Sequence, residues 1–362
     1  MTTIPSASAA RRRFGLFLAP VVLLLLWLAS GAFVPSRLGQ RSMQLQGLVT
    51  TFLGIFIEAL PFLLAGVAAS IAIQRWVTSD LLSKIVGRSS IGGAVRGSLL
   101  GLLFPVCECG AIPASRRLLR KGAPVPLGIA FALAAPVVNP IVLLSTMVAF
   151  DDWRWAAGRV GLTILIAVLV ALIVGAGIRR ESLLAPAALL PSQGDDEHNG
   201  EQHDDHGHVH DSQCRHSPAP ANSWRSLLAQ GAVEFFEMSQ YLILGGLLAA
   251  TMQTFLPQSL LLNLTAEGSL GLFGPLAGVL VLMAVAVLLS VCSTIDAFLA
   301  LAFLGLFHPG AVMAFLVFGP MIDIKSTLML TSTFRKGAIV AMVVLAAQFS
   351  LLAGLAVYVL MR

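Results

Sequence analysis

The chain has 362 residues, of which 57% are hydrophobic and 11% charged, and its mean hydropathy is +0.87. Soluble domains are roughly 45–50% apolar and about 25% charged, so this composition indicates an integral membrane protein whose main partner is the lipid bilayer. The formal net charge of +5 is modest. In a membrane protein it indicates loop charges that set orientation, and it excludes a nucleic-acid-binding surface as the main use of the basic residues.

Apolar windows long enough to cross a bilayer recur along the chain, because a membrane-spanning helix needs about 20 mostly apolar residues. The first window follows Arg11, Arg12 and Arg13. This pattern resembles a signal peptide or a twin-arginine signal, but the length of the apolar run favours an uncleaved first span. The windows cover residues 14–34, 48–73, 124–150, 159–178, 226–250, 311–331 and 337–360, and the regions 91–121 and 270–307 are apolar but interrupted.

A polar segment at residues 180–224 divides the apolar part into two halves. Its composition cannot form a packed core, so it is predicted to be a disordered linker. It has a metal-ligand composition without the fixed spacing of a zinc finger, which leaves weak metal capture and a solvated tether as alternatives. Its candidate metal ligands are His203, His206, His208, His210 and Cys214. The predicted organisation is a tail with a first transmembrane helix (1–45), a first half (46–179), the linker (180–224) and a second half (225–362).

The two halves resemble each other in sequence. The segment "FIEALPFLLAGVAAS" aligns with "FFEMSQYLILGGLLAA", "FPVCECGA" with "LSVCSTID", and "GAPVPLGIAFALAAPVVNP" with "FHPGAVMAFLVFGPMIDIK". The alignment has an offset between 179 and 185 residues and pairs Glu58 with Glu237, Gly66 with Gly245, Cys107 with Cys292, and Asn139 with Asp323. Repeated halves are typical of secondary transporters, so an internal duplication is predicted.

The distribution of basic residues predicts the orientation of the chain, because cytoplasmic loops are rich in lysine and arginine. The cluster "RRLLRKG" after residue 115 lies in the cytoplasm only if the region 91–121 enters the membrane and turns back. Treating 270–307 in the same way gives three spans and one hairpin per half, which predicts inverted halves and a cytoplasmic linker. Residues 274–291 are long enough to cross the bilayer fully, so an arrangement of nine to eleven full spans stays open.

The segment "FPVCECGAIP" at residues 104–113 places two cysteines, a glutamate and two prolines inside an apolar region. Broken backbone at membrane depth is tolerated only where it is buried in protein or lines a wet cavity. Cys107 and Cys109 would supply soft sulfur ligands, and Cys292 a third from the other half. The alternative is that these cysteines pack as small hydrophobic residues.

Charged residues inside apolar segments are expensive, and they are functional by default. The candidates for a polar substrate lining are Glu108, Asn139 and Asp323, while Glu58 and Glu237 are candidates for proton coupling. The alternative is structural: Asp323 would pair with Lys325 near a helix break, and Glu234 and Glu237 would lie at an interface. Asp296 is a further charged residue in an apolar segment. Pro136 and Pro140 are predicted to break the span at 124–150, and Pro320 its counterpart, with a simple kink as the alternative.

The block "FPVCECGAIPASRRLLRKGAPVPLGIAFALAAPVVNPIVLLSTMVAF", with "SVCSTIDAF" and "FGPMIDIKSTLML", resembles the ArsP-like family of predicted permeases in bacteria. The resemblance implies an inner-membrane permease with Cys107 and Cys109 as soft ligands. Relatives export trivalent organoarsenicals, others are linked to copper or zinc efflux, and some work with a second membrane subunit. Glu108 stands where many relatives have a small residue, and together with the histidine-rich linker it favours a divalent or soft metal.

The sequence therefore predicts an all-α polytopic membrane protein that exports a thiophilic metal ion, metalloid or organoarsenical by alternating access. It contains no Gly-x-x-x-x-Gly-Lys-Ser/Thr motif for nucleotide binding. No enzymatic activity and no bound cofactor are predicted, and a second membrane subunit or a second copy of the chain is the expected protein partner. Two alternatives stay open: a membrane redox protein that uses Cys107 and Cys109 as a dithiol, and a metal-sensing scaffold that uses the linker.

Overall fold

The computed structural model describes residues 39–76, 89–103, 106–177, 184, 224–255 and 274–361. These residues form α-helices, with one isolated bridge between Leu184 and Phe334. The predicted all-α polytopic architecture is confirmed. The predicted first span at 14–34 and most of the linker, including its candidate metal ligands, lie outside the described residues.

Each half contains a long helix, two pairs of shorter helices and, at its end, one long helix. In the first half these are α1 (Gly39–Trp76), α2 (Ser90–Leu103), α3 (Glu108–Arg120), α4 (Val125–Ala134), α5 (Pro140–Phe150) and α6 (Trp153–Gly177). In the second half they are α7 (Trp224–Phe255), α8 (Gly274–Leu289), α9 (Asp296–Phe303), α10 (Pro309–Met321), α11 (Ile324–Leu330) and α12 (Lys336–Leu360). The final long helix is α6 in the first half and α12 in the second. The duplication and the inverted orientation of the halves remain predictions.

Five helical segments of the described part are long and apolar enough to cross a membrane. They are Leu45–Arg75, Trp153–Ala176, Leu227–Thr254, Pro309–Leu330 and Lys336–Leu360. Four of them contain the predicted spans at 48–73, 159–178, 226–250 and 337–360 almost completely. The predicted spans at 124–150 and 311–331 are each divided into two helices, as the prolines in them predict.

The two interrupted regions are also divided, and their first helices are short. Helix α2 has 14 residues and α8 has 16, which at about 1.5 Å per residue corresponds to roughly 21 and 24 Å. The hydrocarbon core of a bilayer is about 30 Å thick, so the described part of neither helix spans it. Ser290, directly after α8, has a φ of 45°, a left-handed conformation that ends the helix. Re-entrant hairpins in these two regions remain a prediction.

Two short helices lie at the centre of the bundle. Every residue of α4 is buried, and so are most residues of α10. Helix α4 packs against α2 and α6, and α10 packs against α8 and α12. Contacts between the halves join α1 to α7 and α6 to α12.

Two glycines allow the broken elements to approach the long helices. A Cβ atom on Gly66 of α1 would lie 2.2 Å from the Cα atom of Gly110 in α3. A Cβ atom on Gly245 of α7 would lie 2.9 Å from the Cα atom of Lys325 in α11. The sequence alignment pairs Gly66 with Gly245, and neither position has space for a side chain. They bring α3 and α11 toward the space between the halves.

Candidate functional site

A small cavity lies between the two halves and has room for about one water molecule. It is bounded by α1, by the breaks that precede α3 and α9, and by α11, so each half supplies two of its walls. Three cysteines, two glutamates and one lysine are among its lining residues. The lining is Ile55, Glu58, Ala59, Cys107, Glu108, Cys109, Cys292 and Lys325.

The three thiols of the site are free and buried. Cys107 is the N-cap residue of α3, and its carbonyl oxygen accepts hydrogen bonds from the backbone N–H groups three and four residues later. The carbonyl oxygen of Cys292 likewise accepts from the N–H groups of Ile295, directly before α9, and of Asp296, its first residue. Both cysteines therefore stand at the start of the second helix of a broken pair, as their alignment in the sequence predicts. The hydroxyl of Thr294 lies 3.6 Å from the Cys292 sulfur and donates to it.

Lys325 lies between two carboxylates at the cavity. Its Nζ atom is 3.6 Å from Oε1 of Glu108 and 3.7 Å from Oδ2 of Asp323. The lysine and both acids are buried, with side chains that are 3–5% exposed. A buried charge needs an opposite charge nearby, because its desolvation is otherwise too costly. The pairing of Asp323 with Lys325 that the sequence left open as an alternative is present, and Glu108 joins it.

Two carboxylate oxygens near the cavity have no hydrogen-bond partner within the described part of the protein. They are Oε2 of Glu108 and Oε1 of Glu58, and both atoms are buried. Buried polar atoms without a partner are rare in native proteins, and they indicate a place where an ion, a proton or water binds. The cavity thus combines soft sulfur donors with two carboxylate oxygens that are available to a ligand.

Asn139 and Asp323 are the N-cap residues of the second helices in the two other broken pairs. The Asn139 side chain accepts a hydrogen bond from the backbone N–H of Ile141. Asp323 forms a capping box with Ser326. The Nδ2 atom of Asn139 also donates to the carbonyl oxygen of Val106, at 3.3 Å. Asn139 therefore supports the backbone before Cys107 and is not among the lining residues, whereas Asp323 reaches the site through Lys325.

Glu237 lies away from the cavity, in an ion pair with Arg116. Nη1 of Arg116 is 2.9 Å from both carboxylate oxygens of Glu237. Next to it, Arg117 contacts Glu234 at 2.7 Å. Both pairs join α3 of the first half to α7 of the second. The structure thus separates the two candidates for proton coupling: Glu58 lines the cavity, and Glu237 lies at the interface that the alternative interpretation proposed.

A further inter-half ion pair joins α6 to α9. Nη2 of Arg159 is 2.5 Å from Oδ2 of Asp296, and both side chains are almost fully buried. Nη1 of Arg159 also donates to the hydroxyl of Thr146 in α5, at 2.8 Å. The sequence analysis placed Asp296 among the intramembrane charges, but it did not identify Arg159. The signal was present, since Arg159 is a basic residue at the first position of a predicted span.

The described residues contain no preformed group of three histidine, cysteine, aspartate or glutamate side chains that could hold a metal ion. Lys325 instead occupies the position between the carboxylates. Sequence analysis named Lys325 only as a structural partner of Asp323, and its place in the cavity was missed. The contact depends on the packing of α11 against α3, which no local pattern of residues predicts.

An all-helical bundle with broken helices around a buried polar cavity is the architecture of a membrane transporter. The comparison with protein families agrees with this class. The chain belongs to the family described as "ArsP_1: Predicted permease", which matches residues 44–359. It is a multi-pass membrane protein of the permease type, and the resemblance stated from the cysteine block is confirmed.

Several curated proteins are similar to this chain. The "UPF0718 protein YcgR" of Bacillus subtilis (strain 168) is 37% identical over 286 residues, which are 79% of this chain and 88% of that protein. The "Putative two-component membrane permease complex subunit" of Streptococcus mutans serotype c (strain ATCC 700610 / UA159) is 34% identical over 285 residues, 78% of this chain and 86% of that protein. The "UPF0718 protein YraQ" of Escherichia coli (strain K12) is 29% identical over 114 residues, about a third of each chain. No solved structure matches.

Proposed function

We propose that this protein exports a small thiophilic substrate across the bacterial inner membrane. The substrate class comprises soft or borderline metal ions and trivalent metalloids or their organic derivatives. The observation that carries the proposal is the cavity between the halves, because three buried free thiols from two halves line it together. Sulfur ligands select such substrates over hard cations.

The carboxylates at the cavity can accept the protons that the thiols release. A thiol that binds a metal or a metalloid must lose its proton, so binding depends on a nearby acceptor. Glu58 and Glu108 line the same cavity as the three cysteines, and each has a buried oxygen atom without a partner. We assign proton coupling to Glu58, because it is on the cavity wall and no ion pair holds it among the described residues. Glu237, held by Arg116, is assigned a role in fixing the interface.

The inter-half ion pairs supply a basis for alternating access. Arg116 and Arg117 join α3 to α7, and the positive-inside rule assigns this end to the cytoplasm. Arg159 joins α6 to α9 elsewhere in the interface. If one set opens while the other stays closed, the cavity is reached from one side at a time. The two sets therefore act as gates in the proposed transport cycle.

We further propose that the linker lies in the cytoplasm and that the protein works with a second membrane protein subunit. The Streptococcus mutans relative is named as a subunit of a two-component complex. A partner of this kind agrees with the lack of a nucleotide-binding motif in the sequence. The linker, with His203, His206, His208, His210 and Cys214, is proposed to gather substrate on the cytoplasmic side.

Uptake into everted membrane vesicles tests the proposed function. The panel is zinc, copper(I), arsenite and methylarsenite, and the comparison is wild type against Cys107→Ser/Cys109→Ser and empty vesicles. We expect uptake of at least one substrate by wild type, and its loss in the double variant. Equal accumulation in all three vesicle types for all four substrates would overturn the proposal.

A further inference from the structure

Lys325 is held much more loosely than the other cations of the inter-half ion pairs. Its two N–O distances are 3.6 and 3.7 Å. Arg116, Arg117 and Arg159 contact their carboxylates at 2.9, 2.7 and 2.5 Å. Charge-assisted N–H···O bonds are typically about 2.7–2.9 Å long, so the three arginine pairs are fully formed and the lysine pairs are not. The loose pairs are also the ones that face the cavity.

The backbone of Lys325 is fixed while its side chain retains the means to move. Gly245 packs directly against the Cα atom of Lys325. The capping box of Asp323 and Ser326 fixes the first turn of α11, in which Lys325 lies. Gly245 also packs against the Cβ and Cγ atoms of Lys325, so the flexible part of the side chain lies beyond Cγ and carries a compact ammonium group. A change at the site can therefore displace the ammonium group without moving α11.

The cavity region contains more acidic groups than basic ones. Glu58, Glu108 and Asp323 are three carboxylates, and Lys325 is one ammonium group, so the formal charge is 1 − 3 = −2 when all four are ionised. Such an excess is unfavourable at membrane depth unless protons or a cation compensate it. Two protons or one divalent cation would balance it.

We propose that Lys325 is a tethered counter-cation that occupies the cation position of the site and is displaced from Glu108 when a cationic substrate binds. This inference rests on the proposed function and narrows it: the site takes a divalent cation in exchange for the Lys325 ammonium group, whereas a neutral thiophilic molecule binds the thiols without that exchange. A neutral arsenical does not compete with an ammonium group for a carboxylate. A divalent cation does, because the two positive charges repel each other at short range.

Protection of the thiols from alkylation tests the role of Lys325. The protein carries Cys214→Ser, so that N-ethylmaleimide reports on Cys107, Cys109 and Cys292 alone. The probes are Cd²⁺ and the neutral arsenical phenylarsine oxide. In Lys325→Met we expect the Cd²⁺ concentration for half protection to fall by about tenfold or more, because the competing charge is gone. The value for phenylarsine oxide should stay within about threefold, since a neutral ligand meets no such competition.

Two further variants keep the test decisive. Lys325→Arg retains the positive charge and is expected to keep the wild-type response to Cd²⁺ within about threefold. If Lys325→Met does not fold, Lys325→Gln, which is also uncharged and keeps a polar end, is measured in its place, and the same fall in Cd²⁺ concentration is expected. Equal or weaker Cd²⁺ protection in these neutral variants would overturn the inference and assign Lys325 a structural role.

The two failures are distinguishable. If phenylarsine oxide protects the thiols of wild type and Cd²⁺ does not, the cation inference is overturned and the proposed thiol site stands. If neither probe protects the thiols of wild type or of any variant, the thiol site itself is overturned, and the role of Lys325 with it.

Discussion

Replacing Arg159 with methionine is expected to destabilise the protein strongly. The arginine is 1% exposed and binds Asp296, which is 4% exposed, across the interface between the halves. It also donates to Thr146. Methionine keeps much of the side-chain volume but removes the charge. Asp296 would then be a buried carboxylate without a counter-charge, and its other oxygen already has no partner in the described part of the chain.

The magnitude follows from the geometry of the pair. At the observed 2.5 Å and an effective dielectric constant of about 20, the gross Coulomb attraction is about 7 kcal/mol. Part of this attraction offsets the cost of removing both charges from water, and that cost is not recovered when only one partner is removed. We therefore expect Arg159→Met to lower the free energy of unfolding by about 3–5 kcal/mol.

The assay is reversible unfolding of the purified protein in detergent micelles, followed by circular dichroism. The matched control is Arg154→Met, an exposed arginine in the same helix, which should change the free energy by less than about 0.5 kcal/mol. The double variant Arg159→Met/Asp296→Leu removes both charges and should recover most of the loss. A change below about 1 kcal/mol in Arg159→Met, or a double variant as unstable as the sum of the single ones, would refute the reasoning.

Further predictions concern packing and the linker. Gly66→Ala should lower the thermal unfolding temperature and the yield of folded protein, because its Cβ atom would lie 2.2 Å from the backbone of Gly110; Gly54→Ala, in the same helix with nothing within 4 Å, is the control and should be neutral. A Gly66→Ala protein as stable as the control would contradict the close approach of α1 and α3. Deletion of residues 195–216 should leave most of the vesicle uptake intact, whereas near-complete loss would favour the sensor alternative.

Much of the helical organisation was predictable because its causes are local. Prolines at 136, 140 and 320 interrupt apolar runs, and the helices divide close to them. The alignment of Asn139 with Asp323 identified two residues that have the same capping role. Their side chains satisfy backbone N–H groups that a helix start leaves free, so the role depends on the adjacent sequence alone.

The composition of the site was predictable only in part. The cysteines and Glu108 are recognised from one short segment, and the cavity contains them. The position of Lys325 depends on how α11 packs against α3, and that of Glu237 on how α7 packs against α3. These long-range contacts place Lys325 at the cavity and Glu237 at an interface, although in the sequence both are single charged residues within apolar segments. Local sequence patterns do not predict such contacts.

The contribution of the second half to the substrate site is the central claim, and Cys292→Ser tests it most directly. The measurement is initial uptake into everted vesicles of the panel substrate that wild type accumulates, with Cys214→Ser as the control for the cysteine of the linker sequence. We predict that Cys292→Ser lowers uptake to the level of Cys107→Ser/Cys109→Ser, while Cys214→Ser keeps most of the wild-type uptake, as the linker deletion does. Wild-type uptake by Cys292→Ser, with loss in the Cys107→Ser/Cys109→Ser variant, would contradict a site shared between the halves.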